Sequence, residues 1–222
     1  MVNPLKKLFF YRNYSTKAHA NWWRKRKLDW NKDYFSTHTH PHRKALMYVL
    51  GQIKWSNLLE VGCGGGANLI NITRYFPKTY LAGNDVNKEA IEFCKEVFAK
   101  HNPSLYFTQS PADDMLIGDK NTEVILSDMV YIYVSNRDIG KHLDEIKRVA
   151  RDYVVLCEFH HKSWWKRMKL KLFAGYSAFN WQKLLTRHGF TDIISYRITP
   201  QDWPESKLQQ EFAHIFLAKI PK

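Results

Sequence analysis

The 222-residue chain has only three cysteines, Cys63, Cys94 and Cys157, widely spaced and with no CxxC pair. That excludes a disulfide framework and a cysteine-based zinc site, and it suits a reducing compartment. No apolar run approaches the roughly 20 residues needed to span a bilayer. Acid is absent before Asp29 and again from 159 to 175. The start, MVNPLKKLFFYRNYS, is basic, but its apolar core is too short for a secretory signal. The expected location is the cytoplasm, with peripheral membrane association and an organelle transit peptide kept as alternatives.

What is present is a real core, with 45% hydrophobic and 15% aromatic residues, so wholesale disorder is excluded. The net charge of +13 is concentrated. Residues 1–54 hold 12 Lys and Arg against two Asp, and residues 159–175 hold five cations and no acid. The rest carries 17 basic against 19 acidic residues. Basicity gathered this way points to an anionic partner or surface more than to general solubility.

Between 55 and 158, strand-like and helix-like stretches alternate, as an α/β fold with a parallel sheet requires. Strands are expected at Asn57–Val61, Tyr80–Asn84, Leu105–Thr108, Glu123–Ser127 and Tyr153–Cys157, and helices at Ala67–Tyr75, Lys88–Lys100 and Ile139–Ala150. A helix at Trp181–Arg187 and strands at Ile193–Ile198 and His214–Ile220 follow, the two strands separated by a long connection with Pro200 and Pro204. Ahead of this core, Ala18–Asp33 and Arg43–Ile53 have helical spacing, broken by His38-Thr-His-Pro-His42. The organisation expected is an N-terminal helical cap over 1–54 and one α/β domain over 55–222, with a basic lid or insertion at 159–175.

The run Glu60-Val61-Gly62-Cys63-Gly64-Gly65-Gly66 follows the first strand and opens a helix. Glycines let backbone approach a ligand, and the helix N-terminus favours its negative group. The glycines alone fit a nicotinamide dinucleotide as well, since Gly62, Gly64 and Ala67 satisfy G-x-G-x-x-A. Further features separate the two. Glu60 precedes the first glycine at the strand end, and Asp85 with Val86 ends the second strand. Ser110-Pro-Ala-Asp-Asp114 follows the third, and the chain closes on two strands after its last helix.

Together these resemble the class I S-adenosylmethionine (SAM)-dependent methyltransferase family. The resemblance implies a Rossmann-like, doubly wound, mostly parallel seven-stranded sheet with an antiparallel last strand. It places Glu60, Gly62, Gly64 and Gly66 at the methionine end of SAM. Asp85 and Val86 fall at the ribose and adenine face, and Asp113, with Asp114 its competitor, at the adenine. Ser127 and Asp128 would face the methyl group.

For the acceptor, Ser127-Asp128-Met129-Val130-Tyr131 lacks the N/D-P-P-Y/F signature of nucleobase amino methyltransferases, and no Pro-Cys nucleophile occurs. Candidate bases are Asp128, His160 and His161. The His38, His40, His42 trio has alternate spacing but no acidic or cysteine neighbour, so no stable metal is expected. The function expected is methyl transfer to oxygen or nitrogen of a small-molecule or surface-attached acceptor. An RNA methyltransferase and a non-catalytic SAM-binding protein are the alternatives. The tryptophan-rich basic segments would serve as a lid, an anionic-membrane helix or an RNA surface. In the lid reading Trp164, Trp165, Met168 and Leu172 share a helix face that packs on the domain.

Overall fold

The computed structural model describes residues 15–222; residues 1–14, the start of the basic N-terminal segment, lie outside the described residues. Within them, seven strands form one sheet in the order β3-β2-β1-β4-β5-β7-β6. These are β1 (Asn57–Val61), β2 (Tyr80–Asp85), β3 (Tyr106–Gln109), β4 (Thr122–Asp128), β5 (Ala150–Phe159), β6 (Thr191–Arg197) and β7 (Ala213–Lys219). The first five pair in parallel, and β7 runs antiparallel to both β5 and β6.

Alternation along the strands feeds two apolar layers, because successive side chains point to opposite faces. Leu58, Leu126, Val155 and Leu217 enter one layer; Leu59, Ile125, Val154 and Phe216 enter the other. The first layer is closed by α3 (Pro41–Leu50), α4 (Ala67–Tyr75) and α5 (Lys88–His101), through Leu46, Leu50, Leu69, Ile72 and Phe98. The second is closed by α6 (Ile139–Val149) and α8 (Trp181–Arg187), through Leu143, Ile146, Trp181 and Leu185. Residues 41–50 therefore belong to the core layer and are not a detachable cap.

The remaining N-terminal residues form α1 (Thr16–Lys25), the single turn α2 (Trp30–Asp33) and a 3-10 turn at Phe35–Thr39. The continuous helix expected over 18–33 is interrupted at Arg26, whose backbone is extended. His40 caps α3 and Pro41 supplies its first turn, where a missing N–H costs nothing. After β5 comes α7 (Trp164–Ala174), and the proline-containing connection before β7 holds a short helix, α9 (Lys207–Phe212).

Chain connections reverse direction between β1 and β4, which lie side by side with Val61 opposite Ser127. Open α/β sheets bind ligands in the crevice beyond the strand ends at such a point.

Candidate active site

A cavity of about 220 Å³ opens at that crevice. Its floor is Gly62 and Gly64 after β1, Asp85 and Val86 after β2, Asp113 after β3 and Asp128 after β4. Its roof is the cap: Thr16, His19, Ala20 and Trp23 from α1, with Trp30 and Tyr34 behind them. Tyr133 and Val134 form the far wall.

The glycine turn takes its shape from φ angles that side chains disfavour. Gly62, Gly64 and Gly66 all have positive φ. A Cβ on Gly62 would lie 2.4 Å from a Val130 methyl, and one on Gly66 would lie 2.6 Å from the Phe98 ring. Gly62 thus keeps the crevice open, whereas Gly66 faces α5 and is needed for packing the helix start. Gly64 donates its N–H to Asp85 Oδ2 at 3.0 Å, and Asn87 donates to Oδ1 at 2.8 Å. Burial nevertheless raises the Asp85 carboxyl above its ordinary value, against those two hydrogen bonds.

Asp128 sits at the centre of the polar network. Its Oδ2 accepts from His42 Nε2 at 3.0 Å, Arg43 at 3.2 Å and Asn68 Nδ2 at 3.0 Å. Burial opposes its ionisation, but His42, Arg43 and Asn68 outweigh that and hold it well below the usual carboxylate range. The same Asn68 amide donates to Glu60 Oε1 at 2.7 Å. Glu60 is pushed up to about 8, mainly by burial, against the opposing effects of Asn68 and Arg43. Glu60 Oε2 and Asp128 Oδ1 are buried oxygens with no hydrogen-bond partner among the described residues. Buried oxygens of this kind call for a partner.

Behind Asp128 a chain of groups reaches the surface. His42 Nδ1 lies 2.5 Å from His40 Nδ1, and His40 Nε2 lies 2.6 Å from Glu205 Oε1. Trp203 stacks on His42 at 4.2 Å between ring centres. Burial depresses the His42 imidazole, against the pull of Asp128. A neutral His42 donates Nε2–H to Asp128, with its Nδ1 facing His40 Nδ1. His38 stands apart, against the Phe35 carbonyl.

The other sequence-derived site residues divide. Gly62, Gly64, Asp85, Val86, Asp113 and Asp128 line the cavity, and Glu60 reaches it only through Asn68. Asp114 is exposed and outside the lining. Ser127 is buried with its hydroxyl donating to Glu158 Oε1 at 2.7 Å, away from the cavity. His160 accepts the Trp181 N–H at 3.1 Å and packs against His214 and Phe216. His161 accepts the Ser163 N–H at 2.9 Å. Neither histidine lines the cavity; both are engaged in holding the chain after β5.

Sequence reasoning did not single out Arg43, Asn68, Asn87 or Glu158. Arg43 left a trace, a cation at the start of the apolar run Ala45–Leu50. Asn87 caps α5 and also donates to the Trp23 and Arg26 carbonyls at 2.8 Å each, fastening α1 over the cavity. Glu158 accepts the Val130 and Tyr131 N–H groups at 2.9 and 3.0 Å. These bonds hold the turn in which Met129 adopts a positive φ of 57°.

Residues 58–153 match the methyltransferase domain family. A fatty-acid O-methyltransferase of Mycolicibacterium smegmatis is 38% identical over 102 residues, 45% of this chain and 35% of that protein. A probable phthiotriol/phenolphthiotriol dimycocerosates methyltransferase 2 of Mycobacterium ulcerans is 30% identical over 111 residues, 50% of this chain and 40% of that protein. The chain thus spans well under half the length of the curated relatives it matches. Among solved structures, geranyl diphosphate C-methyltransferase from Streptomyces coelicolor A3(2) superposes with a TM-score of 0.67 at 12% identity, covering 93% of this chain and 97% of that one. At that identity the likeness concerns the fold alone. The match over 58–153 is to a methyltransferase domain, and the seven-stranded sheet with its antiparallel closing strand is the fold implied by the resemblance to class I SAM-dependent methyltransferases.

Proposed function

We propose that the protein transfers a methyl group from SAM to a carboxylate oxygen of an amphipathic small molecule with an apolar tail. The fit to the cofactor is carried by two buried oxygens without a hydrogen-bond partner among the described residues, Asp128 Oδ1 at the cavity and Glu60 Oε2 behind Asn68. An amino group is the partner they lack. Asp85, with Val86 beside it, would hold the ribose, and Asp113 the adenine. When bound, SAM supplies an electrophilic methyl on a sulfonium. The chain's own residues then have to orient the acceptor and exclude water.

The choice of acceptor follows from what the described cavity residues offer as a base: Asp85 is committed to the ribose in this reading, and burial lowers His142 below an ordinary imidazole. Asp128 is held ionised so firmly that it has little affinity for a proton, and general-base efficiency falls with pKa. His19 lines the cavity but is lowered to about 4 by burial and by Lys171. His160 and His161 point elsewhere. An alcohol or a protonated amine would need deprotonation here, whereas a carboxylate is already nucleophilic at neutral pH. Arg26 over Trp23, and Lys171 beside His19, bring positive charge to the cap side, which suits an anionic acceptor. Trp23, Trp30, Tyr133, Val130 and Val134 offer the apolar wall for a tail. The name of one curated relative, a fatty-acid O-methyltransferase, supports the same reading.

The test is label transfer from methyl-labelled SAM to a matched set: a long-chain fatty acid, the alcohol and amine of equal length, and total RNA. Label in the acid as an ester, and in neither the alcohol nor the amine, is the expected result. Label in RNA would replace this reading with an RNA methyltransferase. Tight SAM binding with no label in any fraction would replace it with a SAM-binding protein.

A further inference from the structure

Helix α7 wears its apolar side outward. Trp164 is 54% exposed, Trp165 58% and Phe173 75%, in a helix whose one fully buried residue is Leu170. Trp165 and Leu172 are seven residues apart, and Lys169 and Phe173 four, so they share one face. The opposite face holds Leu170 with Arg167 and Lys171. Arg167 donates to the His161 and Lys162 carbonyls, and Lys171 to the Gly175 carbonyl and the Ser177 hydroxyl. The helix enters the core through Leu170, its cations bond to the chain on either side of it, and its aromatics face solvent, the reverse of the lid expected from the sequence. Such a face is uncommon on a water-facing helix unless something apolar meets it.

We propose that this outward face of α7 docks on the interface of an anionic lipid bilayer. Charge supports that partner: Lys162, Lys166 and Lys169 are exposed around the aromatics, and no acid lies between 159 and 175. Among the described residues the acidic contact of α7 is Glu211, 2.9 Å from Lys166. Tryptophan with lysine at its flanks is the composition that settles at the headgroup boundary. Among the described residues no helix is long and apolar enough to cross a membrane, so docking is at the surface. RNA is less well served. Trp164 and Trp165 stack on each other at 4.0 Å, which takes one ring face of each from any base. Leu172 and Phe173 offer a base no hydrogen bond.

Position gives docking a purpose. Tyr176, just beyond α7, packs edge-on against Tyr133, which lines the cavity and also meets Trp23 of the cap. The docking face thus adjoins the acceptor wall, where an amphipathic acid could pass from the bilayer. This purpose rests on the acceptor proposed above; the docking itself does not.

The full chain, without SAM, is sedimented with vesicles of phosphatidylcholine containing about one quarter phosphatidylserine, and with vesicles of phosphatidylcholine alone. The protein should follow the anionic vesicles, less so at high salt. Trp165→Ser with Phe173→Ser should lower partitioning about tenfold or more. Both residues are exposed, so the melting temperature and SAM affinity should not change. Lys162→Glu with Lys169→Glu should remove the preference for anionic lipid. Docking is refuted if the wild type ignores both vesicles, or if the aromatic variant partitions as the wild type does. It is also refuted if the aromatic variant loses RNA binding or self-association while the wild type shows no vesicle binding. SAM affinity and label transfer are read separately, so a failed acceptor assignment leaves the vesicle result interpretable.

Discussion

Glu60 and Asp128, at the ends of neighbouring strands, share one hydrogen-bond donor, the Asn68 side-chain amide, yet they are driven in opposite directions. Burial raises Glu60, while Arg43, His42 and Asn68 hold Asp128 ionised. Two neighbouring buried carboxylates cannot both carry charge without a further cation, and of the two Arg43 bonds directly to Asp128 alone, acting on Glu60 only through its charge. A bound amino group would be the second cation.

Removing the Asp128 charge should therefore cost stability as well as binding. Asp128→Asn leaves Arg43 without its carboxylate and turns an amide N–H toward donors, so we expect a loss of about 3 kcal/mol, read from urea unfolding. SAM affinity should fall with it. Arg43→Leu should be similarly destabilising, and the double variant should lose clearly less than the two losses combined, because each single change strands a partner. Strict additivity would show that the pair does not act as a unit.

Asn87 is the fastening between cap and cofactor floor. Asn87→Ala removes two bonds to the α1 carbonyls and the cap of α5, the latter worth about 1 kcal/mol. The run Arg24-Lys25-Arg26-Lys27 beside that fastening offers trypsin its sites. Cleavage there should be several-fold faster in Asn87→Ala than in the wild type, and saturating SAM should slow it in both. Equal cleavage rates would mean that the cap is held by its aromatic packing alone.

The fold was legible because its signals are local. Runs such as Val124–Leu126 and Tyr153–Cys157 read as buried parallel strands, and the glycine turn marks the first crossover. Helix α9 was missed because six residues after Pro204 carry too little periodicity. The cavity was legible where its residues end a strand or follow one closely: Gly62, Gly64, Asp85, Val86, Asp113 and Asp128. Arg43 and Asn68 meet Asp128 from helices distant in sequence, and nothing local announces that meeting. Helix α7 shows a subtler limit. Spacing tells which residues share a face, but only tertiary contacts decide whether that face turns inward, and here the face that turns inward is the one carrying Leu170.

Gly62 can be tested against its neighbour. Gly62→Ala places a Cβ on Val130 and keeps a positive φ, so both steric overlap and backbone strain follow. We expect a loss of about 2–3 kcal/mol from these two causes together. Adding Val130→Ala should recover the part due to overlap but not the φ strain. Full recovery would show that the left-handed backbone contributes nothing.

Glu60 makes cofactor binding depend on pH in a direction that can be stated beforehand. Its folded value of about 8 lies above the ordinary 4.5, so the free protein binds a proton there that the unfolded chain releases. The stability this proton confers is complete below about pH 4.5 and is lost as pH rises through 8. A cationic amino group beside Glu60 favours the carboxylate, so binding must expel the proton wherever it is present. SAM affinity should therefore rise with pH, by up to about tenfold per unit, and level off near the Glu60 value. Titration calorimetry at pH 6 to 7 in buffers of different ionisation enthalpy should detect close to one proton released (about one, from linkage). In Glu60→Gln the release should vanish and the affinity should become nearly flat over the same range. Glu158, also raised to about 8 by burial, is tied to Ser127 and the Val130 turn away from the cavity. Its titration should affect stability in both proteins but not the difference between them. An unchanged proton release in Glu60→Gln would place the cofactor's amino group elsewhere, and Asp128 alone would then have to hold it.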